Sequence, residues 1–292
     1  MSRILITGGS GLLALGWACA LRVSNDIVLG IHRHRVHLAG SVVEPVDLES
    51  EQGFLLALHR HRPDTVVHTV GLTNVDECER DAERARHVNA ELAGNVARAT
   101  RCAGIRLIHI STDHLFAGNR PLCAEADSPQ PLNVYARTKL EAEQCVLAAH
   151  PVALVVRTNF FGWGPRTRRS FSDWILDNLR AGREITLFDD VYFTPILIEA
   201  LAHSAHDLLD RGCHGVINVA GDERISKYEF GRRLAQRFML DIDLLRRGSM
   251  ADAKLAASRP ADMSLDNTLA RERLGRKLGG IGDYLDALKR KE

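Results

Sequence analysis

The chain has 292 residues, of which 45% are hydrophobic and 26% charged, a composition typical of a globular protein with one large domain or two modest ones. Its 38 Lys and Arg side chains nearly balance its 37 Asp and Glu side chains. The resulting formal net charge of +1 disfavours a general nucleic-acid or membrane-surface binder, which needs a basic excess. No apolar run approaches the ~18 residues of a membrane span.

Cysteine usage and the first residues bear on the cellular compartment. The six cysteines form no Cys-x-x-Cys pair, so we expect reduced, mostly buried thiols of a cytoplasmic protein rather than a zinc site or a disulfide framework. An apolar run before Ala18-Cys19-Ala20 resembles a signal peptide with its cleavage site. Glycines at Gly8, Gly9 and Gly11 interrupt that run, so we expect a folded segment there instead.

Short apolar runs alternate with longer amphipathic ones through the first two-thirds of the chain. The predicted strands are Arg3–Thr7, Asp26–Ile31, Val42–Val46, Thr65–Thr69, Ile105–Ile110 and Val152–Arg157. The predicted helices between them are Leu12–Arg22, Glu51–Arg62, Asp81–Cys102 and Asn133–Ala149. Strands that are apolar throughout and are separated by helices indicate a parallel sheet covered on both faces.

After about residue 160 the pattern changes to a glycine-rich loop, a basic stretch and shorter elements. The basic stretch contains Arg166, Arg168 and Arg169. Helices are predicted at Phe171–Arg180, Ile198–Leu209, Lys227–Phe238 and Leu269–Leu274. We therefore predict an α/β fold: a Rossmann-type doubly wound parallel sheet over residues 1–160, then a smaller C-terminal α/β substrate-binding domain over residues 161–292. Residues 190–220 are expected to return to the first domain.

The first predicted strand leads directly into a glycine-rich turn, Thr7-Gly8-Gly9-Ser10-Gly11-Leu12-Leu13-Ala14. Glycines in such a turn let the backbone approach a pyrophosphate held at a helix N-terminus, and a small residue at the position of Ala14 permits close helix–strand packing. Its place after a strand and before a helix predicts dinucleotide binding. The expected contacts are Gly8, Ser10, Gly11, Leu12 and Leu13. The alternative is a structural turn without a ligand.

The end of the second predicted strand bears on the choice between NAD and NADP. It reads Gly30-Ile31-His32-Arg33-His34-Arg35 and has no acidic residue that would bind ribose hydroxyls. Arg33, and after it Arg35, are candidates for the 2′-phosphate because a guanidinium pairs bidentately with phosphate. NADPH is therefore favoured over NADH, and a solvated basic loop is the alternative. After the third strand, Asp47 and Leu48 are placed to flank the adenine, although Asp47 would equally suit a helix cap.

The fifth predicted strand ends at Ser111-Thr112-Asp113, and Tyr135-Ala136-Arg137-Thr138-Lys139 follows on a predicted helix. Tyr135 and Lys139 are four residues apart and so share one helix face. A cation near a phenol lowers its pKa, and the Thr112 hydroxyl could polarise a carbonyl beside it. Tyr135 is then the predicted proton donor to a carbonyl oxygen that accepts hydride from a nicotinamide, with Lys139 also holding the ribose. A chance surface pair is the alternative.

These motifs together resemble the extended short-chain dehydrogenases/reductases, and within them the dTDP-4-dehydrorhamnose reductase family, over nearly the whole chain. The resemblance also rests on longer segments. These are Asn74-Val75-Asp76, Val88-Asn89-Ala90, His109-Ile110-Ser111-Thr112-Asp113-His114-Leu115-Phe116-Ala117-Gly118, Pro131-Leu132-Asn133-Val134-Tyr135-Ala136-Arg137-Thr138-Lys139-Leu140-Glu141, Val156-Arg157-Thr158 and Arg259-Pro260-Ala261-Asp262-Met263-Ser264-Leu265-Asp266. It implies an NADPH-dependent reductase of the 4-keto group of a nucleotide-activated 6-deoxysugar.

The resemblance also implies roles for matching residues. The expected catalytic set is Thr112, Asp113, Tyr135 and Lys139. The expected further cofactor contacts are Thr69, Val70, Gly71, Thr73 and Asn89. The expected substrate contacts, besides Thr112, are His114, Phe160 and Arg259, the last toward the pyrophosphate or the sugar, with helix capping as an equal alternative.

Several positions depart from the family pattern. His68-Thr69-Val70-Gly71-Leu72 replaces the usual Asn-Ala-Ala-Ala-aromatic stretch, and His114 replaces a tyrosine. Some members hold magnesium on glutamates at a dimer interface; Glu199 matches one such position but the first helix lacks another, so we predict no metal. The expected partner is a nucleotide-sugar substrate, with no nucleic acid and no membrane, and a homodimer is left open.

Two other functions compete with the reductase. A sugar-nucleotide epimerase or 4,6-dehydratase shares the superfamily, but a dehydratase needs a carboxylate where His114 stands, and epimerases carry an acidic end on the second strand. The regulatory subunit of methionine adenosyltransferase resembles the same family and acts by binding a partner. The complete Thr112, Asp113, Tyr135 and Lys139 set favours catalysis.

Overall fold

A computed structural model describes residues 1–165, 168–253 and 255–292. Arg166 of the predicted basic stretch lies outside these residues. The strands are β1 (Ser2–Thr7), β2 (Asn25–Ile31), β3 (Ser41–Pro45), β4 (Thr65–His68), β5 (Arg106–Ile110), β6 (Leu154–Arg157), β7 (Phe160–Phe161), β8 (Ile185–Phe188), β9 (Tyr192–Phe193), β10 (Ile196–Leu197), β11 (Gly215–Asn218), β12 (Ile225–Ser226) and β13 (Leu245–Gly248).

Eleven α-helices accompany these strands in the part of the chain that the structure describes. They are α1 (Leu12–Leu21), α2 (Glu51–His61), α3 (Val75–Arg80), α4 (Ala82–Arg86), α5 (Leu92–Cys102), α6 (Val134–Ala149), α7 (Phe171–Arg180), α8 (Ile198–Asp210), α9 (Lys227–Arg237), α10 (Thr268–Leu274) and α11 (Ile281–Lys289). None of the helices in the described ranges is long and apolar enough to cross a membrane.

Seven strands form a parallel central sheet in the spatial order β11-β6-β5-β4-β1-β2-β3. Helices α1 and α8 cover one face, while α2, α5 and α6 pack on the other, and each face has its own hydrophobic cluster. Covering both faces removes the apolar strands from water, as the sequence pattern predicts. The predicted Rossmann-type α/β fold is confirmed.

The chain order reverses direction across the sheet between β1 and β4. Open parallel sheets bind ligands at such a switch point, outside the carboxyl ends of the strands. The loops that follow β1, β4, β5 and β6 therefore meet along one edge and can form a common cleft.

The second half of the chain builds onto this frame. β8 pairs with β13, and short strand pairs join β7 to β10 and β9 to β12. β11 adds to the central sheet beside β6. Side chains of α7, α9 and α11 belong to the same hydrophobic cluster as α1 and α8. The division at residue 160 stays a prediction.

The predicted helix Asp81–Cys102 is helical from Ala82 to Cys102, but it is not α-helical throughout. The structure has α4, a π-helical turn at His87–Glu91 and then α5, preceded by the separate helix α3. The cause is Asn89 within the widened turn. Its side chain accepts from the backbone N–H of Leu72 at 2.6 Å and donates to the Thr138 hydroxyl at 2.9 Å. A π-turn places that buried amide where it joins the loop after β4 to α6.

Candidate active site

The glycine turn between β1 and α1 has the geometry of an anion site. Gly8 has φ +72°, and a Cβ there would lie 2.9 Å from the Thr69 hydroxyl. Gly11 caps α1 without a side-chain hydrogen bond, and the first turn has no acidic residue. The backbone N–H groups at the start of α1, where Leu12 and Leu13 lie, therefore keep their donors for a phosphate. The side chain of Leu13 itself is buried in the core.

The loop after β2 is exposed and basic. Arg33 and Arg35 are both exposed, at the side of the sheet where the glycine turn opens. Leu48 is buried, whereas Asp47 is exposed and its carboxylate accepts from the backbone N–H of Glu49 at 2.8 Å. Asp47 also packs against Gly53 of α2, but the residue that caps α2 is Ser50, so the adenine contact of Asp47 stays a prediction.

The loop after β4 lies against the glycine turn. The Thr69 hydroxyl donates to the Thr7 carbonyl at 2.7 Å, which holds the two loops together. Gly71 faces Asn89, since a Cβ at Gly71 would lie 3.3 Å from the Asn89 side-chain oxygen. Val70 is half-buried and Thr73 is exposed. Asn89 therefore holds the loop in place through Leu72 rather than pointing freely into the cleft.

Thr112, Asp113 and Tyr135 are buried together beyond β5. The Thr112 hydroxyl lies 3.3 Å from a carboxylate oxygen of Asp113, whose other oxygen accepts from the Asn159 amide at 2.5 Å. Burial raises the pKa of Tyr135 above its ordinary value, while hydrogen bonding from the Thr112 side chain acts in the opposite direction. The ring of His114 meets the Tyr135 ring edge-on, with centroids 5.6 Å apart.

Lys139 lies one turn along α6 from Tyr135, and its ammonium donates to the Ile110 carbonyl at 2.7 Å. Burial lowers the pKa of Lys139 to about 8, and the nearby Glu143 carboxylate acts against this shift. The prediction that a neighbouring cation gives Tyr135 a lowered pKa is wrong for this arrangement. Burial has the largest effect on the Tyr135 pKa and raises it, and the Lys139 ammonium is bound to a backbone carbonyl.

Glu143 and Arg157 form a buried ion pair beneath Lys139. Two hydrogen bonds of 2.9 and 2.7 Å join the guanidinium to the carboxylate, and each side chain is about 5% exposed or less. The guanidinium also lies over the Phe116 ring. The motif around Tyr135 ends before Glu143, so the sequence signal for this residue was only its spacing of four from Lys139.

His68 and His109 face each other on β4 and β5 and stack with ring centroids 5.4 Å apart. The Thr7 hydroxyl lies 2.8 Å from Nδ1 of His68. Burial lowers the pKa of His68 to about 3 and that of His109 well below its ordinary value, with Lys139 adding to both shifts. Both rings are therefore neutral at physiological pH.

A pocket of about 340 Å³ opens beside His114. Its walls are mostly apolar and include Phe171, Trp174, Leu187, Phe188, Val191 and Met263. Two cationic side chains, Lys227 and Arg259, share the pocket with His114. The apolar walls surround a small number of polar groups, as is usual for a small-molecule site.

Arg259 is held at the pocket rim, where it pairs with Asp76 at 3.0 Å. The two residues before Arg259 are fixed as well. The backbone N–H of Ala257 donates to the same carboxylate, and the Asn133 amide donates to the Ser258 carbonyl. Arg259 is therefore a fixed cation that faces the pocket and does not cap a helix. Phe160 packs on the main core and is not among the described pocket-lining residues. Glu199 pairs with Lys291.

Lys227 is a pocket residue that the sequence did not reveal. It is the first residue of α9, and no motif marks it. Only the assembled structure shows that this position meets the loop after β5, which is far away along the chain. Phe171, Thr186 and Met250 likewise come to the pocket from separate segments.

This fold and this site define a short-chain dehydrogenase/reductase of the extended type: a Rossmann-like sheet, a glycine turn at the switch point, and a threonine, a tyrosine and a lysine where the loop after β5 meets α6. The family model described as the RmlD substrate binding domain matches residues 1–288. The chain belongs to this family, and the predicted relationship to the dTDP-4-dehydrorhamnose reductase family is confirmed.

Named relatives cover most of the chain. A probable low-salt glycan biosynthesis reductase, Agl14 of Haloferax volcanii, is 30% identical over 97% of this chain and 96% of its own length. The methionine adenosyltransferase 2 subunit beta of Rattus norvegicus is 29% identical over 90% of this chain and 80% of its own. The crystal structure of a hypothetical dTDP-4-dehydrorhamnose reductase from Sulfolobus tokodaii superposes with a TM-score of 0.82 at 29% identity, covering 95% of this chain and 96% of the other.

Proposed function

We propose that this protein uses NADPH to reduce the 4-keto group of a nucleotide-activated 6-deoxysugar, with Tyr135 as proton donor. One observation carries the proposal: Thr112 interacts with Tyr135, and the Tyr135 ring contacts His114, which lines a pocket with Lys227 and Arg259. Two hydroxyls suit a ketone oxygen, and two cations suit a diphosphate. Kinship with proteins named as reductases supports the same assignment.

The cofactor site has donors and shape for a dinucleotide phosphate. The uncapped N-terminus of α1 offers backbone N–H groups to the pyrophosphate, and Gly8 provides the close backbone approach. Arg33 and Arg35 are exposed at the end of β2, where they can pair with a 2′-phosphate. These features support NADPH over NADH.

Each catalytic side chain has a separate task in the reduction. NADPH, when bound, supplies the hydride to the carbonyl carbon. The Thr112 hydroxyl donates a hydrogen bond to the carbonyl oxygen and orients it. Tyr135 gives its proton to that oxygen, and its raised pKa keeps the hydroxyl protonated at neutral pH. Before a ketone binds, Asp113, itself held by Asn159, accepts the single proton of the Thr112 hydroxyl, which then turns to the ketone oxygen.

The protein environment also handles the charge that this proton transfer leaves. A phenolate remains on Tyr135 after the transfer, in a buried site where charge is costly. Lys139, one turn away on α6, has its ammonium on the Ile110 carbonyl. Burial rather than Lys139 sets the pKa of the resting Tyr135 hydroxyl, but a phenolate formed there gains from this positive charge. Glu143 keeps Lys139 protonated by opposing the effect of burial.

The test is NADPH consumption with a panel of nucleotide 4-keto-6-deoxysugars, with the wild type beside Tyr135→Phe. We expect turnover of at least one sugar and a loss of about 100-fold or more in kcat for the variant, with NADPH affinity unchanged. Tyr284→Phe is the matched control, because Tyr284 is another buried tyrosine, outside the pocket, whose hydroxyl donates to the Leu278 carbonyl.

Two results would count against the proposal. One is equal turnover by the wild type and Tyr135→Phe, which would remove Tyr135 from the proton transfer. The other is tight NADPH binding with no sugar reduced. That second result would favour a regulatory role, as considered above for the relative of the methionine adenosyltransferase subunit. Copurification with a larger enzyme would then be the next measurement.

A further inference from the structure

We propose that Lys227 binds the diphosphate of the nucleotide-activated substrate and thereby sets the affinity for its nucleotide. The inference rests on the proposed function and assigns to it a residue that no sequence motif marks. It follows from the position of the ammonium, from the order of groups along the pocket, and from the lack of an internal partner.

The Lys227 side chain packs against aromatic rings at the N-terminus of α9. Its ammonium lies 3.4 Å from the centre of the Phe193 ring and 5.0 Å from that of Phe171. The backbone N–H of Lys227 donates to the Val191 carbonyl at 2.9 Å, and the Ser226 side chain caps the helix. Both ends of the residue are therefore fixed, and the residue lines the pocket.

The ammonium has no counter-ion at contact distance. Within residues 1–165, 168–253 and 255–292, no carboxylate lies within ion-pair distance of Lys227 and no group accepts a hydrogen bond from its ammonium. Asp113 acts on it only from a distance, and His114 and Arg259 are the other polar groups of the pocket. Arg259 already pairs with Asp76. Lys227 is thus the uncommitted positive charge of the pocket, and a partly buried ammonium is stabilised by an anionic ligand.

The order of groups along the pocket matches the order of groups in the substrate. The Tyr135 ring contacts that of His114, and His114 lines the pocket together with Lys227 and Arg259. In a hexopyranose, carbon 4 and the anomeric carbon are opposite each other across the ring. A sugar with carbon 4 at Tyr135 therefore directs its anomeric diphosphate past His114 toward the two cations.

A purely structural lysine would also stack on Phe193, so the test must separate charge from packing. Burial lowers the pKa of Lys227 to about 8, with Asp113 acting in the opposite direction. The free ammonium therefore loses its proton between about pH 7 and 9, whereas arginine at this position would not. Among the facing groups, burial lowers the pKa of His114, so His114 stays neutral over this range; the other charged groups that face Lys227 are Asp113 and Arg259.

The experiment is calorimetric titration of the NADP⁺-loaded protein with dTDP, UDP and GDP, and then with the nucleoside of the tightest one. The wild type is compared with Lys227→Met, which keeps the stem without the charge, and with Lys227→Arg. We expect Lys227→Met to weaken diphosphate binding about 10- to 100-fold while nucleoside binding changes less than about 2-fold. Lys227→Arg should stay within about 3-fold of the wild type.

A second measurement does not depend on the methionine variant folding. Wild-type affinity for the diphosphate should fall by about 10-fold between pH 7 and 9, and that of Lys227→Arg should change much less. Equal diphosphate affinity in wild type and Lys227→Met would overturn the role of Lys227 but not the proposed function. Identical pH profiles for wild type and Lys227→Arg would do the same. A wild type that binds none of the three diphosphates would overturn the proposed substrate class itself.

Discussion

The two ends of the cofactor cleft are built in opposite ways. At the inner end, around Lys139, the polar groups are buried, and Glu143 and Arg157 form an ion pair there. At the outer end, the loop over residues 32–40 is largely exposed and carries Arg33 and Arg35 toward solvent. The inner end is therefore preorganised before any ligand arrives, whereas the outer end gains its partners only on binding.

This difference predicts separate consequences for mutation. A change at the inner end leaves a buried charge or a buried polar group without its partner, so it should cost folding stability as well as turnover. A change at the outer end removes a group that water already solvates, so it should alter cofactor choice and leave stability intact. Three measurements, with successively weaker expected effects, test this contrast.

The strongest effect is expected for Glu143→Gln. The substitution leaves Arg157 buried without its counter-ion and removes the carboxylate that helps to keep Lys139 protonated. We expect the free energy of unfolding in urea to fall by about 3 kcal/mol, and kcat to fall with it. Glu141→Gln is the matched control on the same helix, since Glu141 pairs with Arg86 at the surface and should cost less than about 1 kcal/mol. Equal losses in both variants would contradict the contrast.

The next effect is acid sensitivity caused by His68. Its pKa in the folded protein is about 3, below the ordinary value of 6.5, so the unfolded chain takes up the proton first as the pH falls. Stability is then complete above pH 6.5 and decreases down to about pH 3, by about 2 kcal/mol between pH 7 and pH 5. His109 acts in the same direction.

Comparison of unfolding curves at pH 7 and pH 5 measures this contribution. His68→Asn should reduce the difference between the two pH values by about 2 kcal/mol, because asparagine does not titrate. His37→Asn, in the exposed outer loop, should leave the difference unchanged. If His68→Asn kept the full wild-type acid sensitivity, the neutral buried histidine would not be its source.

The weakest effect is expected at the outer end. Arg33→Ala combined with Arg35→Ala should lower the preference for NADPH over NADH by about 10-fold, or about 1.4 kcal/mol, with the urea midpoint unchanged. Arg101→Ala removes one exposed arginine at the end of α5 and is the control for loss of surface charge. An unchanged NADPH-to-NADH ratio in the double variant would place the 2′-phosphate elsewhere.

The two ends also differ in what the sequence could foretell. Strands that are apolar throughout, the glycine turn, and Tyr135 with Lys139 at helical spacing were sufficient to predict the parallel sheet, the dinucleotide turn and the catalytic residues. These features are local in the chain, so the residue types and their spacing are enough to predict the geometry. The upward shift of the Tyr135 pKa could not be predicted from the sequence, because it depends on burial by segments distant in sequence.

The pocket residues from the second half of the chain could not be predicted from the sequence, for the same reason. Lys227, Phe171 and Thr186 come from separate segments that no periodicity connects. The interruption of the predicted helix Asp81–Cys102 was also invisible, since it depends on Asn89 reaching Leu72 and Thr138. Arg259 was found only through the resemblance, and its partner Asp76 shows why it faces the pocket.

The return of β11 to the central sheet has a consequence for how the protein is made. A nascent chain completes β6 well before residues 215–218 leave the ribosome, so β6 is for a time an edge strand with unpaired backbone groups and apolar side chains on both faces. Exposed edges of this kind recruit other strands. A fragment cut at residue 160 would retain that open edge permanently, and its tendency to aggregate would reflect this missing strand rather than any defect in the nucleotide-binding half.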